Sequence, residues 1–392
     1  MTARSTTHGG PSIQSTLHDP MRDWTNDDLL LNDSERDYFA QRHPSLARIF
    51  DWPELRRVFE DYEKPARRAR ERSRRYGVFA VVLGFAGLAL TALTPLLAKL
   101  LSLSLLFPND PDSAERLIGF LAAVLIVAGS VEGFRQALTG LAKREWLINR
   151  YRTERIRQFH FQLIVNNPGK AAAALGDDAA LESWRTLRNG KLADFLHDTG
   201  QTLDIVFDRL EDDHAEEDVW ADRAWSDPPS EPLETPGLVG LLEGMEKVRI
   251  GVQERYTELK LKPGPYSPQT RAEWLHGASD AFTAAILLVT VAIGAVYMYG
   301  EAGPRLWLLS LVGLAGTLTA AVVALRVLNE GLQLRSETER YRWYLASVRS
   351  IRRRFEKVGS EDRIRLLREL ERLAYQEMRR FLITFKEARF IM

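Results

Sequence analysis

Four stretches of the chain lack charge for long enough to cross a bilayer. Gly77 to Ala98 (GVFAVVLGFAGLALTALTPLLA) runs 22 residues without a charged side chain, which at the α-helical rise matches the roughly 30 Å of a hydrocarbon core. Ala281 to Gly300 and Leu306 to Leu325 supply 20 uncharged residues each, separated only by Glu301 to Arg305. Leu117 to Val131 supplies 15 and continues through Glu132 and Arg135 to Leu141 in an otherwise apolar frame. The pattern predicts four transmembrane helices in two hairpins.

Between and after the spans the period changes. Tyr341, Leu345, Val348, Ile351, Phe355 and Val358 recur at steps of three or four, and after Gly359-Ser360 a second stripe runs through Leu366, Leu370, Leu373, Tyr375, Met378, Phe381 and Phe385. Such stripes mark amphipathic helices that pack on a neighbour, from the same or another subunit. Glu211 to Pro236 is acidic and proline-rich with no sustained period and reads as a linker. The expected fold class is all-α, a polytopic membrane protein with long cytoplasmic helices. Its segments are a cytoplasmic N-terminal segment with a basic lead-in helix over 1–75, a first hairpin over 76–141, a cytoplasmic helical domain over 142–280 containing the linker 211–236, a second hairpin over 281–328, and C-terminal helices over 329–392.

Charge sets the expected orientation. Lys64, Arg67, Arg68, Arg70, Arg72, Arg74 and Arg75 precede the first span, and Lys143, Arg144, Arg150 and Arg152 follow the second. The turn between them carries Arg116 against Asp110, Asp112 and Glu115. An excess of Lys and Arg marks the cytoplasmic side, so both termini and the long central section are expected in the cytoplasm. The first 20 residues contain no apolar h-region, so a cleaved signal peptide is not expected.

The two halves echo each other. Arg150-Tyr151-Arg152 and Arg340-Tyr341-Arg342 stand 190 residues apart, nearly the spacing of Leu117 and Leu306 at the starts of the second and fourth spans. This predicts a duplicated unit of hairpin plus emerging helix, running in the same sense twice, unlike the inverted repeats of many transporters.

Composition narrows the chemistry. The 53 basic and 53 acidic side chains cancel, so net charge does not point to nucleic acid, and the absence of cysteine excludes disulfides and thiolate metal sites. The seven histidines, His8, His18, His43, His160, His197, His214 and His276, form no pair at metal-ligand spacing. His160 reads as a packed helix residue. No glycine-rich phosphate loop with a following lysine is present, and the acidic segment lacks the oxygen-ligand spacing of a calcium loop. No catalytic residue, metal or cofactor is predicted.

Small and hydroxylated residues do line the spans. Gly84, Gly87, Thr91 and Thr94 share a face of the first, Thr283, Thr290 and Gly294 of the third, and Ser310, Gly313, Thr317 and Ala324 of the fourth. Such faces let helices approach closely or line a narrow wet passage, and the pattern leaves both open. Glu132 and Arg135, three apart on one helix face, are candidate gate residues, or else mark the cytoplasmic interface.

The basic segment EKPARRARERSRRYG leading into a hairpin, followed by KREWLINRYRTERIRQFHF, resembles the SLATT family, the SMODS- and SLOG-associating two-transmembrane effector domains. Ala281 to Phe355 is similar but lacks the arginine run ahead of its hairpin. The resemblance implies a pore-forming effector of a bacterial conflict system, in the inner membrane, acting as a homo-oligomer when a partner senses or makes a nucleotide signal. Two hairpins in one chain depart from the family's single-hairpin form. The alternative is a non-conducting, membrane-anchored scaffold that recruits a cytosolic partner.

Sidedness is open to direct test. Reporters fused at Met1 and at Met392 should both behave as cytoplasmic, and activity of an export-dependent reporter at either end would overturn the four-span topology.

Overall fold

The computed structural model describes residues 37–102, 111–198, 206–207, 235–299 and 305–390, apart from 38, 42, 139, 266 and 389. Both chain termini, the hairpin tips at 103–110 and 300–304, and the acidic linker up to residue 234 lie outside the described residues. Among those described the chain is helical, with no strand.

Among the described residues the main helices are, in order, α1 (Pro44–Phe50), α2 (Pro53–Ser102), α3 (Pro111–Leu138), α4 (Leu141–Asn166), α5 (Pro168–Ala173), α6 (Asp178–Asp198), α7 (Pro236–Met245), α8 (Val252–Leu261), α9 (Pro268–Tyr299), α10 (Arg305–Leu332), α11 (Leu334–Phe355) and α12 (Ser360–Glu387). A π-helical segment, Glu246–Gly251, joins α7 to α8. Four helices are long and apolar enough to cross a membrane, as the uncharged stretches predicted.

Several expected boundaries fall inside helices. The basic lead-in and the first span are one 50-residue helix, α2, which continues through Pro65 and Pro95. The third span likewise begins within α9, well after Pro268. Proline inside a helix withholds one backbone donor, but neither position ends α2.

The spans pack as a single layer. The second (α3) lies on the first (α2), the first on the fourth (α10), and the fourth on the third (α9). The order across the layer is therefore second, first, fourth, third, an open row instead of a closed bundle. All the remaining helices gather at one end of this row. Both hairpins leave from and return to that end, so the repeat runs in the same sense twice.

The two returns use the same backbone device. Gly140 and Gln333 both adopt left-handed conformation (φ 45° and 51°) immediately before α4 and α11. A left-handed residue breaks a helix and re-aims the chain, and Gly140 adopts it without the steric cost that Gln333 bears. This backbone register pairs Tyr151 with Tyr344, both buried, and moves the repeat three residues from the Arg-Tyr-Arg alignment.

The helical body is built around α4. From Arg155 to Asn166 every residue of that helix is buried, enclosed by α1, the start of α2, α6, α7, α11 and α12 through Phe50, Trp52, Phe59, Trp184, Phe195, Met245, Val348 and Leu370. The segment 142–280 thus has no core of its own, since its central helix is covered by residues from both ends of the chain. Every member of the two C-terminal stripes is buried except Val358 and Phe381, which are partly buried against the same cores. One chain therefore satisfies both stripes, and they give no motive for association between subunits.

Buried charges pin these helices to one another. The Arg249 guanidinium donates to both carboxylate oxygens of Glu371 at 2.7 and 2.9 Å, and both side chains are fully buried. Leaving either ion without its partner in such a place costs about 3–5 kcal/mol. One arginine of each Arg-Tyr-Arg motif belongs to this network, whereas Arg342 is exposed and donates to Gln269 at 2.8 Å. Arg150 pairs with Glu154 and lies 3.7 Å from Glu63 of α2, and Arg340 pairs with Glu377 of α12. Burial works against the Arg150 cation, but Glu154 and Glu63 outweigh it and hold its pKa above the ordinary value.

His160 is a packed core residue, 1% exposed among Phe50, Trp52 and Phe161, and neither ring nitrogen has a hydrogen-bond partner. Burial, with Arg188 and Arg249 nearby, pushes its pKa down to about 3. The unfolded chain binds this proton near pH 6.5 and the folded chain does not, so the stability from His160 is full above pH 6.5 and is lost as pH falls toward 3. The slope is at most about 1.4 kcal/mol per pH unit. His160→Leu should flatten the acid limb of stability between pH 6.5 and 4, measured by chemical denaturation. An unchanged acid limb would show that His160 does not set it.

Candidate functional site

The small faces of the spans are largely consumed by packing. A Cβ on Gly129 would lie 2.7 Å from the Gly84 backbone nitrogen, and one on Gly87 would lie 2.6 Å from the Ile126 side chain. The first and second spans therefore touch backbone to backbone, the close approach that glycine permits. Gly313 and Gly316 of the fourth span meet Ala92 and Leu93 of the first in the same way. Leu93 is part of this contact. Thr94 is buried, and Ser310 and Thr317 are partly buried.

Thr91 differs from its companions, being exposed. The first span is covered on two sides by its neighbours and open on the other two. Leu88, Thr91, Pro95 and Lys99 occupy one open face, and Phe79 and Val82 occupy the opposite one. Because Pro95 has no N–H, the Thr91 carbonyl lacks its regular helical donor. A hydroxyl and an under-served carbonyl thus coincide at one point of an otherwise aliphatic surface.

The threonine hydroxyls do not stitch helices together. Thr91 donates to the Gly87 carbonyl at 2.9 Å. Thr94 donates to Leu90, Thr283 to Ser279, Thr290 to Ile286 and Thr317 to Gly313, each at 2.8 Å. All are bonds to the carbonyl four residues back in the same helix, the usual way a hydroxyl satisfies itself in lipid. On the third span Thr283, Thr290 and Gly294 are exposed, and a Cβ on Gly294 would meet nothing.

Glu132 and Arg135 do form a pair. Arg135 donates from Nε and a terminal nitrogen to the two carboxylate oxygens at 3.0 and 2.9 Å, and its guanidinium lies 5.5 Å from the Tyr76 ring centroid. The pair sits where the second span approaches the helical body. That position joins the first two spans but reaches none of the small residues further along them.

A neighbouring feature was not anticipated. The Phe390 ring is wedged between the first and fourth spans at their body-side ends: a Cβ on Gly77 would lie 2.4 Å from Cδ2 and one on Gly331 the same distance from Cδ1. The Phe390 carbonyl faces Gly133 of the second span, where a Cβ would come within 3.2 Å. Lys143 secures the approach by donating to the carbonyls of Lys386 and Ala388 at 2.9 and 2.6 Å, a cation at the end of α12 where it suits the helix dipole. The signal in the sequence was three glycines at equivalent ends of three spans, but nothing in it pointed to a residue this far along the chain as their partner.

Among the described residues no cluster of histidine, aspartate and glutamate is arranged to hold a metal ion. Comparison with protein-family models, with curated proteins and with solved structures found no match.

If the ring fills the socket between Gly77 and Gly331, its removal and its expulsion should be equivalent. Phe390→Ala should lower stability by about 2 kcal/mol, below the value for a fully buried phenylalanine because the ring is only partly buried. Gly331→Ala should cost a similar amount, and the double variant little more than either alone. Additive losses in detergent-solution unfolding would place the ring elsewhere.

Proposed function

We propose that the chain is a subunit of an oligomeric pore in a bacterial inner membrane, its cytoplasmic helical body receiving a signal and its spans conducting ions. The observation that carries this is the single-layer arrangement. A row of four helices encloses no path by itself, yet presents along one open face of its first span a hydroxyl and a carbonyl without its helical donor at Thr91. Several rows arranged around an axis would bring this face inward, where polar groups replace water for a passing ion.

The route from body to spans is short. Helix α2 is continuous from the body through the first span, so tilting its base moves Thr91 directly. Phe390 and the Glu132–Arg135 pair meet at the point where such motion would be transmitted. The activating partner is expected to sense or produce a nucleotide signal, as the SLATT resemblance implies, and would act on the body without direct contact to nucleic acid.

One observation favours the non-conducting scaffold. Gly84, Gly87, Gly313 and Thr94 are used in packing, which is what a passive anchor requires. Recording separates the two. In planar bilayers the purified protein should carry current, and Thr91→Leu should reduce it on the order of tenfold, the factor given by ~1.4 kcal/mol of added barrier. Val82→Leu, on the opposite open face, should leave the current unchanged. Current in the Thr91 variant equal to the parent's would remove this face from the lining, and a silent parent under every nucleotide tested would favour the scaffold.

A further inference from the structure

We propose that copies of the chain associate head to tail in the membrane, the third span of one against the second span of the next, repeating the junction that already joins the two hairpins within each chain. This rests on the oligomer reading above and supplies its interface.

The argument begins with the duplication. Each hairpin has a span that leaves the body and a span that returns, and inside the chain the hairpins meet through the leaving span of the first and the returning span of the second. The same junction could form twice more per chain. The leaving span of the second hairpin, the third span, has no returning span beyond it. The returning span of the first hairpin, the second span, has no leaving span beyond it. None of the third span's most apolar stretch is buried within the chain.

The register of the repeat identifies the surfaces. Counted back from the paired left-handed residues Gly140 and Gln333, the positions of Gly313, Thr317, Ala320 and Ala324 on the fourth span correspond to Phe120, Val124, Val127 and Val131 on the second. On the fourth span this strip is buried or partly buried, and its Gly313 lies against Ala92 and Leu93. On the second span all four are exposed. The same register matches Gly129, which meets Gly84 inside the first hairpin, with buried Val322. It therefore distinguishes the face used within a hairpin from the face used between hairpins.

Size and charge then favour a second copy over lipid. The outward strip of the third span, Ala284, Leu288, Val291 and Ala295, is small at its ends, whereas the strip on the second span is bulky throughout. At both ends of the strip bulk thus meets small side chains, as Leu93 meets Gly313 inside the chain. At the body-side ends of the two strips stand opposite charges. Arg135, paired with Glu132 in its own helix, is in the last turn of the second span's helix with its side chain still 55% exposed, and Asp280, beside His276, immediately precedes the third span's apolar stretch with its side chain 67% exposed. A heterologous contact of this kind builds a ring where the rotation closes.

The chain contains no cysteine, so engineered thiols report without background. Val124→Cys and Leu288→Cys lie at opposite ends of a four-helix row, about 25–30 Å apart at ordinary helix spacing. A disulfide needs Cα atoms about 6 Å apart and so must join two molecules. Oxidation of the full-length double variant in membranes should give a ladder of covalent oligomers. The two single variants mixed should give dimers only, and each single variant alone should stay monomeric. Phe120→Cys with Val291→Cys should behave alike. Arg135→Asp should reduce the ladder several-fold, and adding Asp280→Arg should restore it.

Self-cross-linking of Val124→Cys as strong as that of the double variant would show a symmetric contact and overturn the proposal. So would the lack of a ladder from both pairs in membrane-inserted protein whose size in detergent exceeds a monomer. A ladder without current removes the pore and keeps this interface, whereas Thr91-dependent current without a ladder does the reverse.

Discussion

Backbone contact between the first span and its two neighbours is the interaction on which the arrangement depends. Gly84 against Gly129 on one side, and Gly313 and Gly316 against Ala92 and Leu93 on the other, bring three helices close enough for dispersion forces to hold them in a solvent that gives no hydrophobic drive. These two contacts lie on opposite sides of one helix. The spans must therefore continue as a row, and the first span keeps two faces open. Thr91 lies on one of them for that reason alone.

Below the row, the body is held by a different force. Several of its buried or partly buried charges are matched by ions: Glu371 for Arg249 and Glu377 for Arg340 from distant parts of the chain, and Glu63 of α2 together with Glu154 of the same helix for Arg150. Unpaired, these groups would be far more costly than their apolar neighbours are stabilising. The network thus penalises any packing in which the N-terminal, central and C-terminal helices are not all present. It is this requirement that makes the extramembrane parts one body.

Spans and body meet at a small number of points. Helix α2 crosses the boundary unbroken, and Phe390 fills the gap left by glycines on two spans while its carbonyl faces a third. At the two returns the chain turns through a left-handed residue, so α4 and α11 are hinged to their spans where α2, like α9, is continuous. A displacement of the body would reach the first span as motion of a rod and the second and fourth as bending at a joint.

Much of this was legible in the order of residues. The length of uncharged runs determines which helices can cross a bilayer, because the cost of an unpaired charge in hydrocarbon is local and needs no partner to be evaluated. The steps of three and four in the C-terminal helices determine that one face of each is buried, and the absence of metal-ligand and phosphate-loop spacings is equally a local property. The duplication was visible as well, although Arg-Tyr-Arg aligned it three residues away from the register of the backbone turns. What only the tertiary structure decided is which face meets which. Gly84 and Thr91 share a stripe in sequence, yet one is buried against Gly129 and the other is open. Phe390 fits glycines from both hairpins, and Arg150 and Arg340 of the Arg-Tyr-Arg motifs reach carboxylates on α2 and α12. Periodicity assigns a residue to a face, but the partner of that face depends on the positions of helices hundreds of residues apart, which only the packed chain brings together.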